Sequence, residues 1–279
     1  MPRFGVTIFP TDYSIQPVEL ARAVEERGLD SLFITEHTHI PASRRTPWPG
    51  GGELPSIYWE SYEPFTALSM AAAVTEKLKV GTGICLVPEH HPIALAKRVA
   101  SLDSLSGGRF LFGIGAGWNA EELENHGVEF EKRWRVLREA VLAMKECWTQ
   151  KDAEFHGEYF DFDPVWVEPN PIQKPHPPIL IGASSQWAIQ RVVEYADGWM
   201  PITGTCDLEE RLLQLDRLCQ ENGRDRSSID VTLFEAPADR AQIDQLEKIG
   251  VDRILFPLPS EDEAKILSRL DGYQPLLDS

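Results

Sequence analysis

The stretch Ser106-Gly107-Gly108-Arg109-Phe110-Leu111-Phe112-Gly113-Ile114-Gly115-Ala116-Gly117-Trp118-Asn119 leaves few folds open to the chain. The Gly107-Gly108 pair ends a preceding helix, because glycine accepts the left-handed backbone that closes a last turn. Phe110 to Ile114 is apolar without alternation, the mark of a strand covered on both faces in a parallel sheet. Gly115 and Gly117 follow at its carboxyl end, where missing side chains let backbone amides approach a ligand. Asn119 is placed to cap the next helix. Strand, glycine loop and helix make one βα unit whose loop reads as a binding crest.

The unit recurs along the chain. Phe4–Phe9, Ser31–Thr35, Lys79–Leu86, Ile179–Ile181, Gly198–Pro201, Val231–Phe234 and Arg253–Phe256 read as further strands, with helical segments between them. Pro17 suits a first helical turn and Gly28 ends that helix. Pro64–Thr75 is helical, and Pro92 opens a helix with Leu95, Val99 and Leu102 on its inner face. Phe130, Trp134, Leu137, Val141, Met144 and Trp148 recur at alternating four- and three-residue spacings, a stripe that docks an outer helix on a sheet. The length of that stripe also suits a homodimer contact. Asp207 with Glu210, and Ser260 with Glu263, have capping-box spacing. Phe155–Pro178 breaks the rhythm and reads as a β-hairpin around Gly157. About eight βα units in 279 residues describe an α/β fold, a (β/α)8 TIM-type barrel in a single domain over 1–279. A short hairpin insertion follows its fourth βα unit. A dinucleotide fingerprint is excluded, since the third glycine of G-x-G-x-x-G falls on Trp118 and the strand is not the first of its βαβ half.

Charge narrows the function. Against 27 basic residues stand 44 acidic ones, a formal charge of −17, which argues against nucleic acid and against an anionic membrane surface. Cys85, Cys147, Cys206 and Cys219 lack C-x-x-C spacing, and neither a signal peptide nor a long apolar run is present, so a cytoplasmic setting is expected. The partner left is a small-molecule substrate.

In a barrel the chemistry gathers at the carboxyl ends of the strands. Gly182-Ala183-Ser184-Ser185 sits there, offering amides and two hydroxyls to a phosphate; the plainer reading makes Ser184 or Ser185 an N-cap. His37 and His39 invite a metal-hydrolase reading. However, the fifth, sixth and eighth strands end on Gly182-Ala183, Met200-Pro201 and Phe256-Pro257, which offer no side-chain ligands. His39 reads as structural. His37 closes a strand beside Glu36, where a partner can tune it as a general acid or base. The loop Thr38–Glu60 is long enough to be a lid but carries no transferable code for the substrate.

Glu36-His37, Gly81-Thr82-Gly83-Ile84, Ser106–Asn119 and Ile179–Ser185 together resemble the luciferase-like monooxygenase superfamily, and within it the coenzyme F420-dependent oxidoreductases. The resemblance covers about Phe4 to Pro201. It implies a flavin or 5-deazaflavin at the barrel top. Gly83-Ile84 matches a bulge, often with a non-prolyl cis peptide, on which the ring stacks. Ala116, Gly117, Trp118 and Asn119, with Gly182, Ala183, Ser184 and Ser185, match the loops that hold the ribityl chain and phosphate. His37 matches a histidine facing the reactive ring edge. Two departures stand out. Trp118 replaces a catalytic glutamate of glucose-6-phosphate-oxidising relatives, and Ala116 replaces an arginine that luciferases place near the phosphate. The expectation is hydride transfer between F420 and a small organic substrate, with an FMN-dependent monooxygenase as the alternative and a metal-dependent hydrolase as a remote one. Arg44-Arg45 and Lys97-Arg98 are the cation pairs expected to meet the anionic F420 tail.

Overall fold

A computed structural model describes residues 1–277. Its barrel strands are β1 (Arg3–Ile8), β2 (Ser31–Ile34), β3 (Lys79–Thr82), β4 (Phe110–Gly115), β5 (Ile179–Ile181), β6 (Gly198–Trp199), β7 (Asp230–Leu233) and β8 (Arg253–Pro257). Each pairs in parallel with the next, and β8 pairs back to β1 through Arg3–Arg253 and Phe4–Ile254, so the sheet closes. The expected (β/α)8 barrel is the observed one.

The absence of alternation in the strands has a direct cause. Phe33, Leu111, Leu180, Met200, Phe234 and Leu255 fill the barrel interior, and the intervening strand positions pack outward under the helices. Near the barrel's amino-terminal end the interior turns polar. Arg253, 1% exposed, donates from Nε to Asp30 at 2.9 Å and from Nη1 to Asp230 at 3.5 Å.

The Gly107-Gly108-Arg109 sequence serves the fold. Both glycines are left-handed, at φ 69° and 80°, beyond the end of helix Pro92–Leu105. Arg109 then donates to the carbonyls of Ala72, Thr75 and Leu78, satisfying groups left open at the end of helix Pro64–Ala73. The hairpin is also present, with Ala153–His156 antiparallel to Asp161–Val165 and Gly157 in its turn.

Three expectations change. The 3₁₀ turn Phe130–Lys132 precedes helix Arg133–Thr149, and Leu137, Val141, Met144 and Trp148 are all buried against the barrel. Trp148 Nε1 also donates to Ala96 O at 3.0 Å, while Phe130 and Trp134 at the start of the stripe are only partly buried. Ser260 is no cap: it donates to Phe9 O, while Asp262 caps helix Glu263–Asp271. The third strand breaks at a cis peptide between Gly83 and Ile84; Cys85–Leu86 resumes the pairing with β4. Among the described residues no helix is long and apolar enough to cross a membrane.

Candidate active site

An open cleft of about 430 Å³ lies at the carboxyl ends of the strands. Its wall includes His37, Gly83, Ile84, Ala116, Gly117, Trp118, Gly182, Ala183, Ser184 and Ser185. Of the residues expected to touch a cofactor, Asn119 is the one absent from that wall. Its side chain instead accepts from Glu122 N at 3.2 Å as the cap of helix Ala120–Asn125.

Ile84 is built into the cleft by glycines on both sides. A Cβ on Gly115 would stand 1.9 Å from Ile84 Cδ1, and one on Gly182 2.5 Å from Ile84 Cγ2. These two glycines therefore make room for Ile84, and the Gly182 amide is already bonded to Ile114 O at 2.8 Å. Gly117 differs, since its φ of 77° lies in the left-handed region that glycine adopts at little cost.

His37 is held on both ring nitrogens. Nδ1 lies 2.8 Å from Glu122 Oε2, and Trp118 Nε1 donates to Nε2 at 3.3 Å. With Trp118 as donor, Nε2 is the acceptor and the Nδ1 proton faces Glu122, so the Nε2 lone pair at the cleft is spent on the indole N–H. Glu122 also accepts from Thr38 N at 3.1 Å, which fixes the carboxylate. The expected partner, Glu36, is turned away: it accepts from Leu86 N and pairs with His90 Nε2 at 3.0 Å. Burial raises the Glu36 carboxyl pKa, but His90, Leu86 and the Cys85 thiol outweigh it and hold the carboxyl below its ordinary value.

Glu89 behaves oppositely. Burial first, then the carboxylates of Glu122 and Glu36, push its pKa up to about 9. It is a neutral acid at pH 7, accepting from Thr38 Oγ1 at 3.1 Å. His39 takes no part in the cleft; it bonds Thr38 and Asn125, in keeping with a structural role.

The Gly182–Ser185 loop is better defined than its sequence. The helix after it starts at Ala188 with Trp187 as N-cap, so neither Ser184 nor Ser185 is a cap. Trp199 Nε1 anchors the loop through Ala183 O at 2.8 Å. Charge comes from arginines. Arg133 lines the cleft, and Arg191 stacks on Trp134 with its guanidinium carbon 4.1 Å from the ring centre. Burial and then the Arg191 charge lower the Arg133 pKa, a sign that the two cations stand close. Two buried polar atoms lack a protein partner: Thr35 Oγ1 in the cleft wall, and Arg191 Nη1 outside it, where the guanidinium stacks on the wall residue Trp134. An unpaired guanidinium donor next to Arg133 suits a phosphate, so these residues fit the phosphorylated cofactor that the resemblance implies.

The tail cations fare less well. Arg45 pairs with Glu124 and Glu121, Lys97 donates to Glu168 O, and neither pair lines the cleft. His37 and His39 point to different partners and so do not form one donor pair, while Glu36, Cys85 and His90 stand together as a compact hydrogen-bonded group.

Arg133, Arg191 and Glu122 escaped the sequence reading. Glu122 had a signal, an acidic pair in the first turn after Asn119. The arginines lie inside helices whose stripe reads as core, and nothing in their spacing marks them.

A parallel barrel with a cofactor-sized cleft on its carboxyl face and a fixed histidine at that cleft defines a (β/α)8-barrel protein with its functional face in the usual place. Comparison with known proteins makes this specific. The model of the luciferase-like monooxygenase family matches residues 15–253, and the chain belongs to that family. Rv0953c of Mycobacterium tuberculosis is 36% identical over 274 residues, 96% of each chain. The F420-dependent glucose-6-phosphate dehydrogenase of Nakamurella multipartita is 33% identical over 192 residues, 67% of this chain and 51% of that one. Among solved structures, the monooxygenase RslO1 of Streptomyces bottropensis superposes with a TM-score of 0.79 at 19% identity, over 98% of both chains.

Proposed function

We propose that the protein is an oxidoreductase transferring a hydride between coenzyme F420 and a small organic substrate, with His37 as the acid–base group. The observation that carries this reading is the His37–Glu122 pair, which leaves Nε2 unprotonated at the cleft. A deazaflavin or flavin ring bound there supplies the two-electron redox chemistry. Ile84 and Gly83 would support that ring; Gly117, Trp118, Ser184, Ser185, Arg133 and Arg191 would hold the chain and phosphate. For oxidation of a hydroxyl-bearing carbon, the substrate hydroxyl takes the place of the Trp118 N–H at Nε2, and Nε2 accepts the hydroxyl proton as the hydride passes to the cofactor. Glu122 stabilises the resulting imidazolium, and in reduction the same nitrogen returns the proton. Until the substrate takes its place, Trp118 holds the ring plane of His37.

FMN is the second reading, and one observation favours it. The cation pairs available to an anionic tail are already engaged or lie away from the cleft, and FMN, ending at one phosphate, has no use for them. Two assays separate these readings. Purified protein is assayed anaerobically for substrate-dependent loss of F420 absorbance with a panel of alcohols, and aerobically with reduced FMN. Anaerobic F420 turnover supports the proposal; oxygen-dependent product with reduced FMN, and none with F420, overturns it.

A further inference from the structure

Two carboxylates line the cleft, and only one is answered by the protein. Glu36 is engaged by Leu86 N and His90. Glu235 lines the same cleft and follows directly on β7. It has no hydrogen bond or ion pair with any described residue. Its backbone sits at φ 58°, uncommon for a residue with a side chain and enriched at functional positions. The chain on either side is pinned, with Phe234 N donating to Pro201 O and Ala236 N to Leu255 O, both at 2.9 Å. The fold thus fixes the backbone from which this exposed carboxylate projects.

The surroundings suit a cation. Phe9 and Tyr58, with ring centres 4.8 Å apart, and Phe234 share the cleft wall with Glu235. Burial and, to a smaller degree, the Glu235 charge push up the pKa of the Tyr58 phenol, which places the carboxylate near that ring. Aromatic faces attract ammonium groups. The other charged groups at the wall are taken. Arg133 donates to Gly117 O and lies over the Phe130 ring, and His37 is held by Glu122. A net charge of −17 also draws cations toward the molecule.

We infer that the substrate carries a protonated amine, which Glu235 binds among the rings of Phe9, Tyr58 and Phe234. This rests on the reading of the cleft as the substrate site of an oxidoreductase and adds the substrate class, an amino alcohol or the matching amino-carbonyl compound. The amine itself is unchanged in turnover. Oxidation of the alcohol sends a hydride to the cofactor and a proton to His37 Nε2.

The test is calorimetric titration of the full chain, as purified and again with whichever of F420 or FMN it takes up. The probes are benzylammonium, benzyl alcohol and benzoate. Benzylammonium is expected to bind tightest, by roughly tenfold or more over benzyl alcohol, the range of one charge-assisted hydrogen bond. The preference should vanish in Glu235→Gln and turn toward benzoate in Glu235→Lys. Equal binding of the amine and alcohol, no binding of the amine, or an unchanged preference in folded Glu235→Gln overturns the inference. If the variants do not fold, the ranking in the wild type and its weakening at high salt decide. An amine preference in a protein that takes up neither cofactor keeps this inference and removes the oxidoreductase reading; cofactor uptake without that preference does the reverse.

Discussion

Glu89 gives the account a quantitative handle. Its pKa of about 9 in the folded protein, against an ordinary 4.5, means that folding binds a proton throughout the intervening range. The sign follows from linkage. The contribution to stability is fully present below pH 4.5, falls as pH rises because only the unfolded chain ionises, and is exhausted near pH 9. Each pH unit in that window costs ~1.4 kcal/mol, so between pH 5 and pH 8 the ceiling is about 4 kcal/mol. Glu89→Gln keeps the shape of the neutral acid and an acceptor for Thr38 Oγ1, yet cannot ionise. The histidines nearby are common to both proteins and largely cancel in the difference. Urea unfolding of both proteins at pH 5, 6.5 and 8 should show the variant gaining on the wild type by several kcal/mol as pH rises. A difference constant with pH would mean that Glu89 is ionised, and the picture of a neutral acid behind His37 would fall.

Three further outcomes follow from the site. His37→Gln should lower turnover by ~10²-fold or more, the range for a lost acid–base group, with cofactor affinity within several-fold of wild type; unchanged turnover removes His37 from the chemistry. Arg191→Met should weaken cofactor binding roughly tenfold or more through the lost charge-assisted contact, and an unaltered dissociation constant places the phosphate elsewhere. Gly182→Ala sets a methyl 2.5 Å from Ile84 Cγ2, so displacement of Ile84 should reduce cofactor affinity in a protein whose circular dichroism is unchanged. Wild-type affinity in that variant would show that Ile84 does not shape the ring site.

The barrel was legible because its signals are local. Apolar runs without alternation, helix-ending glycines and the hairpin at Gly157 each follow from backbone preference and two-sided burial. The site was legible in part. Strand ends fix where His37, Gly83-Ile84 and Gly182–Ser185 must lie, so their convergence on one cleft was available from the fold. Partner choice was not, because it depends on side-chain direction. Glu36 adjoins His37 in sequence, yet its carboxylate reaches Leu86 and His90, while Glu122 arrives from a helix 85 positions away. Gly115 also leaves room for Ile84, which no reading of β4 alone contains. Arg133 and Arg191 are hidden in amphipathic helices, where an arginine is usually surface.

The central claim concerns the cofactor, and fluorescence titration of the apo-protein with F420 and FMN tests it most directly. The account predicts F420 binding at micromolar or better, tighter than FMN, and weakening as salt rises through the screening of its charged contacts. Tight FMN binding with no response to F420 would contradict it and favour the monooxygenase.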